Sequence, residues 1–163
     1  MEKIISIIFI LLLLMPFVLA QEDLPSVSVL PDSALYGLKR AGENIYTLVT
    51  GILASKESKA QRHIQLGEKR LAEAKELGLR GKISDETLQE AENEFNEAEA
   101  IVITEEGSTQ TFIKERIKTA RENAITVLKG VSEKIQNVQA KEAIQKNIAR
   151  LQLKATEARK SST

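Results

Sequence analysis

The 163-residue chain has no cysteine and no tryptophan, a single histidine and, after Pro31, no proline. Each absence closes a route. Without cysteine there is no disulfide, no thiolate metal site and no lipid attachment through a cysteine. His63 alone cannot furnish the paired Glu-x-x-His sets of di-iron bundles, and Ala60 stands three residues before it. It reads as an ordinary interface histidine. Four Phe and two Tyr are too few to line a sugar-binding cleft around a carboxylate pair. Lys and Arg total 23 and so do Asp and Glu, so bulk charge draws the chain neither to nucleic acid nor to an anionic membrane. No phosphate loop, no G-x-S-x-G elbow and no N-x-S/T acceptor is present. The expectation is a protein that is not an enzyme and carries no cofactor.

What is present begins with an apolar run. Residues 4–20, IISIIFILLLLMPFVLA, follow a short polar head with Lys3, and Val18 and Ala20 stand where a signal peptidase reads small residues. A spanning helix needs about 17–25 apolar residues, so residues 1–20 read as a signal peptide or as an uncleaved anchor. Both readings place the remainder outside the cytoplasm, secreted or associated with the cell envelope. The membrane is then touched only through residues 4–20. Residues 21–31 read as a linker, and 32–163 as one helical domain.

Composition beyond Pro31 favours helix: Ala, Leu, Ile, Glu, Lys, Gln and Arg dominate. Five apolar seams with steps of three and four follow one another. The first, from a start at Asp32 or Ser33, comprises Leu35, Leu38, Gly42, Ile45, Val49 and Ile52, with Gly42 inviting a close helix crossing and Gly51 near the end. The second, over about 58–77, comprises Ala60, Ile64, Gly67, Leu71, Ala74 and Leu77, with Gly78 as a left-handed terminator. The third starts at Ser84 and comprises Leu88, Ala91, Phe95, Ala98 and Val102, ending at 105–107. The fourth starts at Ser108 or Thr109 and comprises Ile113, Ile117, Ala120, Ala124, Val127 and Val131, widened by Leu128 and Ile135, with Gly130 as a possible kink. The fifth, over about 141–159, comprises Ile144, Ile148, Leu151, Ala155 and Ala158. The pattern predicts an all-α fold: four or five antiparallel helices in a bundle or in long helical hairpins. Asn137-Val138-Gln139 is the one place where the fourth and fifth helices could part.

Charge is unevenly placed. Residues 84–106 hold nine acidic side chains and no Lys or Arg, while 107–163 hold twelve basic against five acidic. Adjacent helices of opposite sign would steady a bundle. Glu90, Glu94 and Glu97 share one helical face and are weak candidates for a divalent cation, although no EF-hand-like loop accompanies them.

Pro31-Asp32-Ser33-Ala34-Leu35-Tyr36-Gly37-Leu38-Lys39-Arg40 resembles the opening of an uncharacterised family of exported prokaryotic helical domains. A second stretch, with His63, Glu68, Arg70, Leu71, Glu73 and Ala74, is similar to that family's second helix. The resemblance implies an extracytoplasmic helical domain and no activity. Within the motif, Leu35 and Leu38 are expected to pack, Tyr36 to bury its ring, and Lys39 and Arg40 to face solvent or a carboxylate. The function expected is non-enzymatic, through contact with a protein partner or through self-association in the cell envelope, with no nucleic acid. The alternative is a divalent-cation-binding or stress-sensing protein using the acidic third helix.

Overall fold

The computed structural model describes residues 24–103 and 107–160, without the side chains of residues 50, 53 and 158–160. The expected signal segment, residues 21–23 of the linker, the 105–106 end of the third helix and the side chain of Ala158 lie outside the described residues. Five helices and no strand occur among those described: α1 (Tyr36–Leu53), α2 (Lys56–Leu79), α3 (Asp85–Ile103), α4 (Ser108–Lys134) and α5 (Val138–Lys160). The all-α bundle expected from periodicity is the fold.

The body is α2 to α5. Helices α2, α3 and α4 pack on one another, and α5 packs on α3 and α4. The α3 seam is buried in full, as are Ala60, Ile64, Leu71, Ala74 and Leu77 of α2. Where α2 and α3 cross, Gly67 lies under the Phe95 ring: a Cβ there would stand 2.5 Å from Phe95 Cε1. Leu30 belongs to the buried core, and Leu24 and Val27 pack against that core, so the segment before α1 is pinned to the body.

Several boundaries differ from expectation, each for a local reason. Helix α1 starts at Tyr36 rather than at Asp32 or Ser33, because Ser33 turns back on the Leu30 carbonyl and Asp32 reaches Lys82 at 2.8 Å. Gly78 remains helical, with Val131 Cγ1 2.7 Å from its would-be Cβ, and Gly81 takes the left-handed backbone at φ +68°. Helix α4 continues through Gly130 to Lys134. Helices α4 and α5 are separate, and Asn137 makes the break: its Oδ1 accepts from the Ala140 N–H at 3.0 Å, as an N-cap does.

The largest departure is α1. Leu35, Leu38, Ile45, Val49 and Ile52, expected to pack, are 60–75% exposed. Nothing lies within 4 Å of a Cβ built on Gly42, so no helix crosses there. It is the polar face of α1 that meets the body.

Candidate functional site

The contact between α1 and the body is a cluster of ionised and hydroxyl groups. On α2, Arg70 and Glu73 stand three residues apart and bond each other, Arg70 Nη1 donating to both carboxylate oxygens of Glu73 at 2.8 and 2.9 Å. Both are buried, at 1% and 0% exposure. Charges withdrawn this far from water need partners, and α1 supplies them. Tyr36 donates its hydroxyl to Glu73 Oε2 at 2.8 Å. Lys39 donates to Glu73 Oε1 and, at 2.9 Å, to the Val29 carbonyl. Glu43 accepts from Arg70 and pairs with Lys69. Arg40 lies 3.8 Å from Glu90 of α3.

Helical spacing makes this possible. Tyr36, Lys39, Arg40 and Glu43 fall at steps of three, one and three, so all four project from one side of α1, opposite its apolar stripe. Ionic hydrogen bonds are directional, which fixes the rotation of α1 about its axis in a way that apolar contact does not. That rotation leaves Leu38, Ile45, Leu48, Val49 and Ile52 exposed.

The electrostatics follow the packing. Burial works against ionised Glu43, but hydrogen bonds from Lys69 and Arg70 outweigh it and hold its carboxyl below the usual range. Burial likewise works against the Arg70 cation, and Glu43 and Glu73 more than restore it. Burial, together with the bond to Glu73, pushes the Tyr36 phenol well above its ordinary value.

The C-terminal half of α1 faces the N-terminal half of α2. A groove of about 710 Å³ opens between them, lined by Tyr46, Leu48, Ile52, Arg62, His63 and Ile101 among others. The Arg62 guanidinium lies 4.6 Å over the Tyr46 ring.

The acidic third helix pairs with basic neighbours. His63 Nδ1 and Glu94 Oε2 lie 2.8 Å apart, and Glu90 Oε2 is 4.0 Å from Arg70 Nε. Glu99 accepts from buried Arg121 of α4 at 2.8 Å, and Asp85 accepts from Lys146 and Arg150 of α5. The hydrogen bond from Lys146 is the main reason that Asp85 stays below the usual carboxylate range. Of the three carboxylates singled out for a cation, Glu90 and Glu94 thus face cationic or imidazole partners, and Glu97 is exposed. Among the described residues no group of three or more His, Asp or Glu side chains is placed to hold a metal ion.

The sequence motif brought Tyr36, Lys39, Arg70 and Glu73 to notice without showing that they meet. Glu43 was missed. The available signal was the second, polar periodicity on α1, together with two charges flanking Leu71 in the tightest seam of the chain.

A family model described as a domain of unknown function matches residues 28–138, a span that takes in the whole of the cluster and the apolar face beside it. No curated protein and no solved structure matches the chain.

Proposed function

The chain belongs to the DUF5667 family, a domain of unknown function, and we propose that it is a non-enzymatic, extracytoplasmic module that works by presenting α1 to a helical protein partner. The apolar run at 4–20 supports the compartment. The observation that carries the contact role is the outward stripe of α1. Scattered exposed apolar residues are ordinary, whereas a contiguous row marks an interaction surface. This row is held outward by a buried ionic cluster, an arrangement that gives up burial of five large apolar side chains. The divalent-cation reading is not carried forward, because Glu90 and Glu94 already face Arg70 and His63.

The test is a photoactivatable side chain placed at Leu38 or Ile45 in living cells, with Lys129 on the exposed side of α4 as control. Discrete protein adducts from the α1 positions, and none from Lys129, are expected. Lipid adducts alone, or the same adducts from all three positions, would overturn the proposal.

A further inference from the structure

The stripe on α1 has a register of its own. Leu35, Leu38, Gly42, Ile45, Val49 and Ile52 are separated by three, four, three, four and three residues. That is the a/d spacing of a two-helix seam, narrower than the stripe of a helix packed on a core. It runs for about 26 Å along the helix at 1.5 Å per residue. No charged residue stands on it. Of the flanking positions Lys39, Ala41, Tyr46 and Leu48, only Lys39 is charged, and its ammonium is directed to Glu73 and the Val29 carbonyl. A seam of this kind offers no charge for a charged partner to read. When two identical copies meet along it, no like charges are brought face to face.

The gap in the stripe selects an orientation. In a parallel pair each seam position faces itself, so Gly42 would face Gly42 and leave a hole near the centre. In an antiparallel pair with full overlap, Leu35 faces Ile52, Leu38 faces Val49 and Gly42 faces Ile45, and the two-fold axis repeats each layer. Isoleucine then fills the space over glycine, where nothing else lies within 4 Å. The polar face of α1 stays on its own body throughout, so pairing requires no undocking. Resting on the reading of α1 as a protein-contact surface, we infer that its occupant is a second copy of this chain, the two α1 helices packed antiparallel about a two-fold axis midway between Gly42 and Ile45.

The absence of cysteine gives a direct test in the full chain. Leu38→Cys and Val49→Cys chains, both altered at exposed positions, are prepared separately, distinguished by an isotope label, and mixed under mild oxidation. A covalent dimer holding one chain of each kind is expected, with neither variant crosslinking alone. Crosslinking of either variant by itself, or none in the mixture, overturns the antiparallel register. Sedimentation equilibrium of the unaltered chain is expected to show a dimer that Ile45→Asp weakens at least tenfold, with the helical circular dichroism unchanged. The same Ile45→Asp substitution controls for association through residues 4–20. A monomer at every concentration overturns self-pairing. If the photoactivatable positions on α1 then still capture a different protein, the contact role stands and only the identity of its occupant fails.

Discussion

The Tyr36 hydroxyl donates to Glu73 at 2.8 Å and ties the first turn of α1 to the C-terminal half of α2 across 37 positions of sequence. Glu73 is otherwise held by Arg70 and Lys39, so one carboxylate serves three donors from two helices. The consequences of altering it differ sharply by partner.

Glu73→Ala leaves the Arg70 guanidinium buried with Glu43 and the more distant Glu90 to balance it, and is expected to cost about 3–5 kcal/mol, the usual effect of breaking a buried pair from one side. Tyr36→Phe removes the bond to Glu73 and the longer one from Arg70 at 3.4 Å but leaves both charges paired, for about 0.5–1.5 kcal/mol. Urea unfolding followed by circular dichroism separates the two. Equal losses would mean that Arg70 is solvated in the native protein.

Stability should fall at both ends of the pH scale through identifiable groups. Glu43 has a lowered pKa in the fold, so it adds stability above the ordinary carboxylate range, and this is lost as pH falls through its depressed value. Tyr36 has a raised pKa, so its contribution is complete below its ordinary value of 10.0 and is lost as pH rises beyond that toward the folded value. Glu43→Gln should flatten part of the acid limb of Tm against pH, and Tyr36→Phe part of the alkaline limb. Neither substitution should flatten the opposite limb.

Two helix-interior glycines should respond to alanine with opposite signs. Gly67→Ala drives a methyl into the buried Phe95 ring and should destabilise by about 1–3 kcal/mol, as overpacking does. Gly130→Ala meets nothing within 4 Å and should stabilise by up to about 1 kcal/mol from helix propensity alone. Adding Phe95→Leu should recover part of the Gly67→Ala loss, as a double-mutant cycle would show. Independent, additive effects would contradict the crossing seen between α2 and α3.

Asn137→Ala removes the cap on α5 and the bond from Asn137 Nδ2 to the Gly81 carbonyl at 3.3 Å. A loss of about 1 kcal/mol is expected from the cap. An unchanged Tm would mean that water serves the Ala140 N–H equally well.

The body was legible because its seams turn their apolar side inward: Leu88, Ala91, Phe95, Ala98 and Val102 are all buried as their spacing requires, and Val127, Ile148 and Ala155 at the edges of the α4 and α5 seams are partly buried. The break before α5 was only half legible, since no glycine or proline marks it and the work falls to an Asn side chain. Helix α1 was legible as a helix but not in its orientation. Its apolar stripe is as regular as that of α3, and periodicity alone says nothing of which face has the better partner. Arg70 and Glu73 decide that. Once they are buried in α2, a face bearing Tyr36, Lys39 and Glu43 completes their hydrogen bonds, whereas an apolar face would leave the buried pair with only each other. The candidate site was accordingly visible as separate motif letters, and its assembly depended on a pairing between helices that no single segment encodes.

The ionic ties of α1 to Arg70, Glu73 and Glu90 gather in its first half. Tyr36, Lys39, Arg40 and Glu43 all lie there, and the second half of the helix borders a groove, with Tyr46 stacked on Arg62. A helix fastened in this way, and joined to α2 by only the two residues between Leu53 and Lys56, opens by losing its polar contacts while α2 to α5 remain folded. Its amides should therefore exchange with solvent by a shallow local opening, and those of Leu71 or Phe95 only by global unfolding. The chain then has two stabilities, one for the body and a smaller one for the posture of its first helix.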